Sequence, residues 1–256
     1  MPVDNPEIGG PAPSGAAVNG PTAEERRVVL VTGASRGLGR ALARALAAEG
    51  AHCVLTARTV GALEELDDEI VAAGGSKPTL VPLDLRDGER IDQLGAALHQ
   101  RFGRLDGLAA CAGVIGRLSP VGHLPPKVWD EVFAVNTTAN YRLLRSLDPL
   151  LRLSPAGRAL FITDVRAQQT TAYWSLYAGS KAALEVLVRA YAEEVRRFGV
   201  KANLACPPPM ATALRRQAFP GEEAAKLANP EAVAAKLLPL LSADCQRSGE
   251  VVELAV

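Results

Sequence analysis

The sequence predicts an α/β protein built on a single doubly wound parallel sheet flanked by helices. Three observations carry that prediction. A short β-branched run, VVLVT at 28–32, ends at a turn punctuated by glycines. Directly after it, residues 38–49 (LGRALARALAAE) place apolar side chains at helical spacing, and Gly50 stops the pattern. The same alternation then repeats along the chain, which implies parallel strands joined by crossover helices.

The first strand is apolar almost throughout, which suits burial on both faces of a sheet. Further strands are predicted at 52–57 (HCVLTA), 79–83 (TLVPL), 107–111 (GLAAC), 158–163 (RALFIT), 200–205 (VKANLA) and 250–254 (EVVEL). Helices are predicted at 60–73, 88–102, 127–151, 175–198 and 230–241. Ligands of such a sheet bind beyond the carboxyl ends of its strands. No repeat of solenoid period and no linker divides residues 26–256, so they read as one domain. Residues 1–25 are rich in Pro, Gly and Ala and lack periodicity, so they read as a flexible arm.

Composition narrows the function. Hydrophobic residues make up 48% and charged residues 22%, and 28 basic side chains cancel 28 acidic ones. That balance argues against a protein organised around nucleic-acid phosphates. No apolar run approaches the roughly 18–20 residues of a membrane helix, so a soluble, cytoplasmic protein is expected. Cys53, Cys111, Cys206 and Cys245 are scattered without a CxxC pair and read as reduced thiols. His52, His99 and His123 lack metal-ligand spacing, and no metal site is expected.

The turn after the first strand reads Thr32-Gly33-Ala34-Ser35-Arg36-Gly37-Leu38-Gly39. Placed between a strand and a helix, it lets backbone approach a pyrophosphate, and the helix N-terminus offers N–H groups and a positive dipole end. This is a Rossmann-type dinucleotide turn. The second strand ends in Ala57-Arg58 rather than in the acid that accepts a ribose 2′-hydroxyl. Arg36 and Arg58 together suit a 2′-phosphate, so NADP(H) is favoured over NAD(H).

Downstream, Tyr177-Ala178-Gly179-Ser180-Lys181 falls on a predicted helix, which puts Tyr177 and Lys181 on one face. An ammonium beside a phenol is expected to lower its pKa, suiting it to acid–base work on a carbonyl.

With these residues in place, the chain resembles the short-chain dehydrogenase/reductase family over roughly residues 26–254. TGASRGLG at 32–39, the acid of Leu83-Asp84-Leu85, Asn136, YAGSK at 177–181 and Thr212 carry the resemblance. It implies that the glycine turn holds the cofactor, Asp84 meets the adenine and Lys181 binds the nicotinamide ribose. It further implies that Tyr177 donates a proton to the substrate oxygen, Asn136 holds a relay water and Thr212 touches the carboxamide. A small-molecule carbonyl or alcohol substrate and a homodimer or homotetramer built on helices 127–151 and 175–198 follow from the same resemblance.

Three stretches depart from the family. Ala110-Cys111-Ala112-Gly113 replaces Asn-Asn-Ala-Gly, and Pro207-Pro208 replaces Pro-Gly. The position thirteen before the tyrosine, a serine in the family, is Asp164. Thr163 beside it should point to the opposite face. An ionised carboxylate has no proton to donate to a developing oxyanion, and loss of one such donor costs on the order of a hundred- to a thousandfold in rate. It would also raise the pKa of Tyr177, opposing Lys181; alternatively, Asp164 pairs with Arg166 or Lys181 as a structural salt bridge. Two readings therefore stay open: an NADP(H)-dependent oxidoreductase, or a catalytically impaired NADP(H)-binding protein with a regulatory or assembly role. The pocket wall is expected from 114–118, 166–174 and 209–228. Tyr173 and Trp174 are candidate wall residues, and 209–228 reads as a mobile lid carrying Arg215 and Arg216.

Overall fold

In strand β1 (Val28–Thr32) every residue is buried, and the side chains alternate between two cores. Val28 and Leu30 pack into one, Val29 and Val31 into the other, as the two-residue period of a strand requires. The computed structural model describes residues 26–169 and 171–255; the arm expected at 1–25 lies outside the described residues.

Six further strands follow: β2 (His52–Ala57), β3 (Thr79–Pro82), β4 (Gly107–Ala110), β5 (Arg158–Ile162), β6 (Lys201–Cys206) and β7 (Val251–Glu253). They pair in parallel in the order β3-β2-β1-β4-β5-β6-β7. One sheet face is covered by α3 (Gly88–Phe102), α5 (Ala139–Leu153) and α6 (Ser175–Val195), through Ile91, Leu98, Leu143, Leu147, Leu184 and Val188. The other is covered by α1 (Gly37–Ala48), α2 (Val60–Ala72) and α8 (Pro230–Leu241), through Leu42, Leu46, Leu63, Leu66, Leu237 and Leu241. Each such fully buried leucine contributes about 1.5–3 kcal/mol relative to exposure. At the amino-terminal edge, buried Asp106 accepts the Val28 N–H at 2.8 Å and the Ser154 hydroxyl at 2.6 Å.

Strand order reverses between β1 and β4, and this opens a crevice above their carboxyl ends. That crevice is where the site sits.

One expectation is corrected. The single helix expected at 127–151 is divided into α4 (Pro126–Phe133), a π-helical turn (Ala134–Thr138) and α5. The wider turn brings Asn136 inward, where its side-chain amide satisfies the Val114 backbone: Oδ1 accepts the N–H at 2.9 Å and Nδ2 donates to the carbonyl at 2.8 Å. The segment read as a lid also carries a helix, α7 (Ala213–Ala218). It begins only after Pro207-Pro208-Pro209 and is capped by Thr212, whose hydroxyl accepts the Arg215 N–H at 3.2 Å. Among the described residues, no helix is long and apolar enough to cross a membrane.

Candidate active site

The crevice is a cleft of about 370 Å³ lined by the loops that leave β1 to β6. Gly33, Ser35, Arg36, Gly37, Leu38 and Gly39 form one wall; Arg58, Asp84 and Leu85 close the end beside β2 and β3. Ala112, Gly113, Pro207 and Thr212 border its middle, and Asp164, Tyr177 and Lys181 stand at the far end. Every residue expected at the cofactor site is thus on the cleft.

The turn after β1 needs its glycines for reasons of space. Gly33 has φ of +67°, and a Cβ there would lie 2.9 Å from the Ala112 Cα. A Cβ on Gly39 would come within 2.4 Å of the Gly33 carbonyl oxygen. Backbone therefore forms this wall, and it runs straight into the N-terminus of α1. That helix has no side-chain cap and no acid in its first turn, so its N–H groups and dipole favour an anion. Arg36 and Arg58 are exposed on the cleft, and neither makes a salt bridge among the described residues. The Thr56 hydroxyl is buried at the cleft without a hydrogen-bond partner among the described residues. Two guanidiniums outside any salt bridge among the described residues, an uncapped helix start and an orphaned hydroxyl on one wall fit a phosphorylated nucleotide. Asp84 is held by Arg86 in a bidentate pair, 2.6 Å at its shortest, and this guanidinium keeps the carboxyl below the usual range.

At the reactive end, Asp164 leaves β5 in extended conformation. Its Oδ1 accepts the Arg166 N–H at 2.9 Å and caps a short 3-10 turn, Val165–Ala167. The Tyr177 hydroxyl donates to Oδ2 at 3.4 Å, a long contact. Thr163 faces the other way, as expected, and its hydroxyl donates to buried Glu185 at 2.6 Å. The anticipated salt bridge is absent among the described residues: no ion pair joins Asp164 to Arg166 or Lys181. The Arg166 guanidinium instead reaches Thr171 at 2.8 Å and lies 4.8 Å over the Trp174 ring. Lys181 Nζ donates to the Ile162 carbonyl at 2.7 Å.

This arrangement reverses one electrostatic expectation. Burial, and then the Asp164 carboxylate, hold the Tyr177 phenol well above its ordinary pKa. Lys181 does not offset this; its ammonium is 5.9 Å from the phenol ring centroid and is itself brought down to about 8 by burial. Cys111 is pushed up to about 12 and Cys206 to about 11, mainly by burial, so neither thiol is a ready nucleophile.

Asn136 is the one expected site residue that does not border the cleft. It is fully buried behind it, bonded to Val114 and, through Nδ2, to the Ser180 hydroxyl at 3.0 Å. That hydroxyl donates to the Tyr177 carbonyl at 2.7 Å, so the π-helical turn and α6 are tied together under the tyrosine. Ser180 and Glu185 join the site unexpectedly. A polar residue on the inward face of an apolar helix was the available signal, and Glu185 lies one turn beyond Lys181.

The outer wall is aromatic. Trp174 is buried, meets Tyr177 edge-on at 6.0 Å and stacks on Phe219 at 5.7 Å. Arg215 lies 3.9 Å over Phe219 and pairs with Glu222 at 2.6 Å, which orders the segment after α7. Tyr173 is 59% exposed with φ of +72° and does not join the wall.

Comparison with known proteins agrees with this picture. The short chain dehydrogenase family pattern matches residues 27–223. A short chain dehydrogenase from Pseudomonas syringae superposes with a TM-score of 0.86 at 36% identity, covering 89% of this chain and 94% of that one. One from Escherichia coli CFT073, complexed with NADPH, gives 0.85 at 32% identity over 91% of this chain and 99% of that one. The Escherichia coli K12 protein named uncharacterized oxidoreductase YciK is 34% identical across 86% of this chain and 88% of its own. A sheet of this order, a glycine turn at its switch point and this extent of likeness lead to one conclusion: the chain belongs to the short chain dehydrogenase family.

Proposed function

We propose that the protein is an NADP(H)-dependent oxidoreductase that interconverts a small-molecule carbonyl and its alcohol. One observation carries the reading: the glycine turn, the exposed Arg36 and Arg58 guanidiniums and the Tyr177–Lys181 pair open on the same cleft at the switch point of the sheet. The NADPH complex of the similar Escherichia coli CFT073 protein supports the choice of cofactor. Gly33–Gly39 and the start of α1 receive the pyrophosphate, Arg36 and Arg58 the 2′-phosphate, and Asp84 and Leu85 border the adenine. Ala112, Gly113, Pro207 and Thr212 border the nicotinamide half. When bound, the cofactor supplies or accepts the hydride.

The chain's own groups manage the proton and the orientation. Tyr177 keeps its proton through neutral pH, so it is set to donate to a carbonyl oxygen that gains negative charge. Lys181 holds the nicotinamide ribose and adds positive charge beneath the site. Asn136 positions the Val114 backbone and, with Ser180, the base of the tyrosine. Asp164 takes the place where the family has a serine and turns a hydrogen-bond acceptor toward the reacting oxygen. A homodimer or homotetramer is supported by the apolar side chains that α4, α5 and α6 leave exposed, among them Trp129, Tyr141 and Val186. Free cysteines support a cytoplasmic setting.

A second reading, a catalytically impaired NADP(H)-binding protein, is favoured by the same Tyr177–Asp164 contact. Titration of NADPH and NADH against tryptophan fluorescence tests the shared part, with NADPH expected to bind tighter. No binding of either nucleotide at millimolar concentration defeats both readings. A screen of ketones and dicarbonyls with the native protein and Asp164→Ser separates them. Turnover gained only by Asp164→Ser supports the impaired reading; turnover by the native protein supports the enzyme.

A further inference from the structure

A carbonyl reductase brings two hydrogen-bond donors to one oxygen. This site brings one donor, the Tyr177 hydroxyl, and one acceptor, Asp164 Oδ2, which are 3.4 Å apart and face the same small volume of the cleft. The acceptor is built in place. Its partner oxygen is fastened to the Arg166 N–H, so the carboxylate does not swing away to leave a neutral floor. Arg166 is engaged by Thr171 and Trp174, and Lys181 by the Ile162 carbonyl, so neither cation closes an ion pair with it and Oδ2 stays open to the cleft, although the Lys181 ammonium attracts it from a distance. Thr163 cannot supply the missing hydroxyl, because it donates to Glu185. Beside the pair, the Trp174 ring meets the Tyr177 ring edge-on at 6.0 Å and already carries the Arg166 guanidinium and the stacked Phe219 ring.

A carbonyl oxygen has nothing to donate to Asp164 and is repelled by it as it gains charge. A protonated imine has an N–H to donate and a positive charge to place beside a carboxylate. Reduction of that group develops no negative charge, so the missing donor costs nothing.

From this we propose a further activity: the Asp164–Tyr177 pair selects a protonated imine, and the cleft reduces its C=N bond to a secondary amine. The inference rests on the NADP(H) oxidoreductase reading and extends its substrate class. In the step, the iminium carbon gains a hydride from the reduced nicotinamide, which leaves in oxidised form. The π pair of the C=N bond becomes the nitrogen lone pair. The N–H bond is kept throughout, and the lone pair receives the Tyr177 hydrogen bond. Solvent protonates the amine on release. In reverse, positive charge develops at nitrogen beside the carboxylate, which stabilises it.

The first test needs no cofactor. The free protein is titrated with tetrahydroisoquinolinium and, separately, with neutral 2-tetralol, read by calorimetry. The ammonium is expected to bind about tenfold tighter, the worth of one charge-assisted hydrogen bond. Asp164→Asn keeps an oxygen for the Arg166 N–H and so keeps the turn, but it should abolish that preference. Equal affinities in the native protein, or a preference that survives Asp164→Asn, overturn the inference. The second test compares 3,4-dihydroisoquinoline with the ketone 2-tetralone under NADPH. The native protein is expected to favour the imine, and Asp164→Ser to move the preference toward the ketone. With NADPH shown to bind, absence of imine turnover or faster ketone turnover sinks the imine activity alone. Absence of NADPH binding removes the oxidoreductase reading itself, so the two failures are told apart.

Discussion

Tyr177 and Asp164 are thirteen residues apart in the chain and face one another at 3.4 Å, the phenol as donor and the carboxylate as acceptor. The contact joins α6 to the loop after β5 at the reactive end of the cleft. Because the carboxylate raises the phenol pKa, it affects both the proton the tyrosine can give and the pH at which it can take one back.

In the oxidative direction Tyr177 must first lose its proton, so turnover should climb with pH into the alkaline range. Asp164→Asn removes one cause of the raised phenol pKa and should move that alkaline limb to lower pH. A pH profile of kcat for alcohol oxidation reads the shift. An unmoved limb would mean that burial alone sets the phenol.

Tyr177→Phe deletes the proton carrier and little else, since its long contact to Asp164 is the only hydrogen bond the hydroxyl makes among the described residues. Turnover should fall by about a hundred- to ten-thousandfold, the usual worth of a positioned acid. NADPH affinity should stay within a fewfold of native, which separates loss of chemistry from loss of fold.

Lys181 carries a buried ammonium whose pKa is brought down to about 8 in the fold from its ordinary 10.5. Below pH 8 the charge is present in both the folded and unfolded chain, and burying it costs stability. Between about 8 and 10.5 the folded chain binds fewer protons, so this cost fades as pH rises. Lys181→Met should therefore stabilise the protein by on the order of 1–3 kcal/mol at neutral pH and hardly at all near pH 10.5. Activity should drop in the same variant. Thermal melts across that pH range check the sign.

Arg36→Ala and Arg58→Ala should each weaken NADPH binding by about tenfold, with NADH affinity nearly unchanged. Paired titrations of the two nucleotides measure the ratio. Equal losses for both would place these guanidiniums away from the 2′ position.

Gly33→Ala should destabilise the fold by about 1–3 kcal/mol, since it combines a positive φ with a Cβ driven onto the Ala112 backbone. Denaturant melts report the stability change, and loss of NADPH binding should accompany it.

Much of this protein was legible in its residues alone. Apolar strands alternating with helical periodicity determined the parallel sheet, and glycines between β1 and α1 marked the tight turn at the switch point that forms one wall of the cleft. That information is local, because strand burial, helix spacing and tight turns are each read within a few residues. The Tyr177–Lys181 spacing was local too. What came only from the tertiary structure depends on groups brought together from distant parts of the chain. The helix expected at 127–151 opens into a π-helical turn because Asn136 satisfies the Val114 backbone, 22 residues away. The direction of the Tyr177 shift followed from burial and from the Asp164 carboxylate, neither of which spacing reveals. Arg166 was free to pair with Asp164 in the sequence; in the fold the Trp174 ring and Thr171 hold it elsewhere. Periodicity determines which face of an element is buried, but the charge state of a buried group depends on every neighbour that displaces water from it, and those neighbours are chosen by packing.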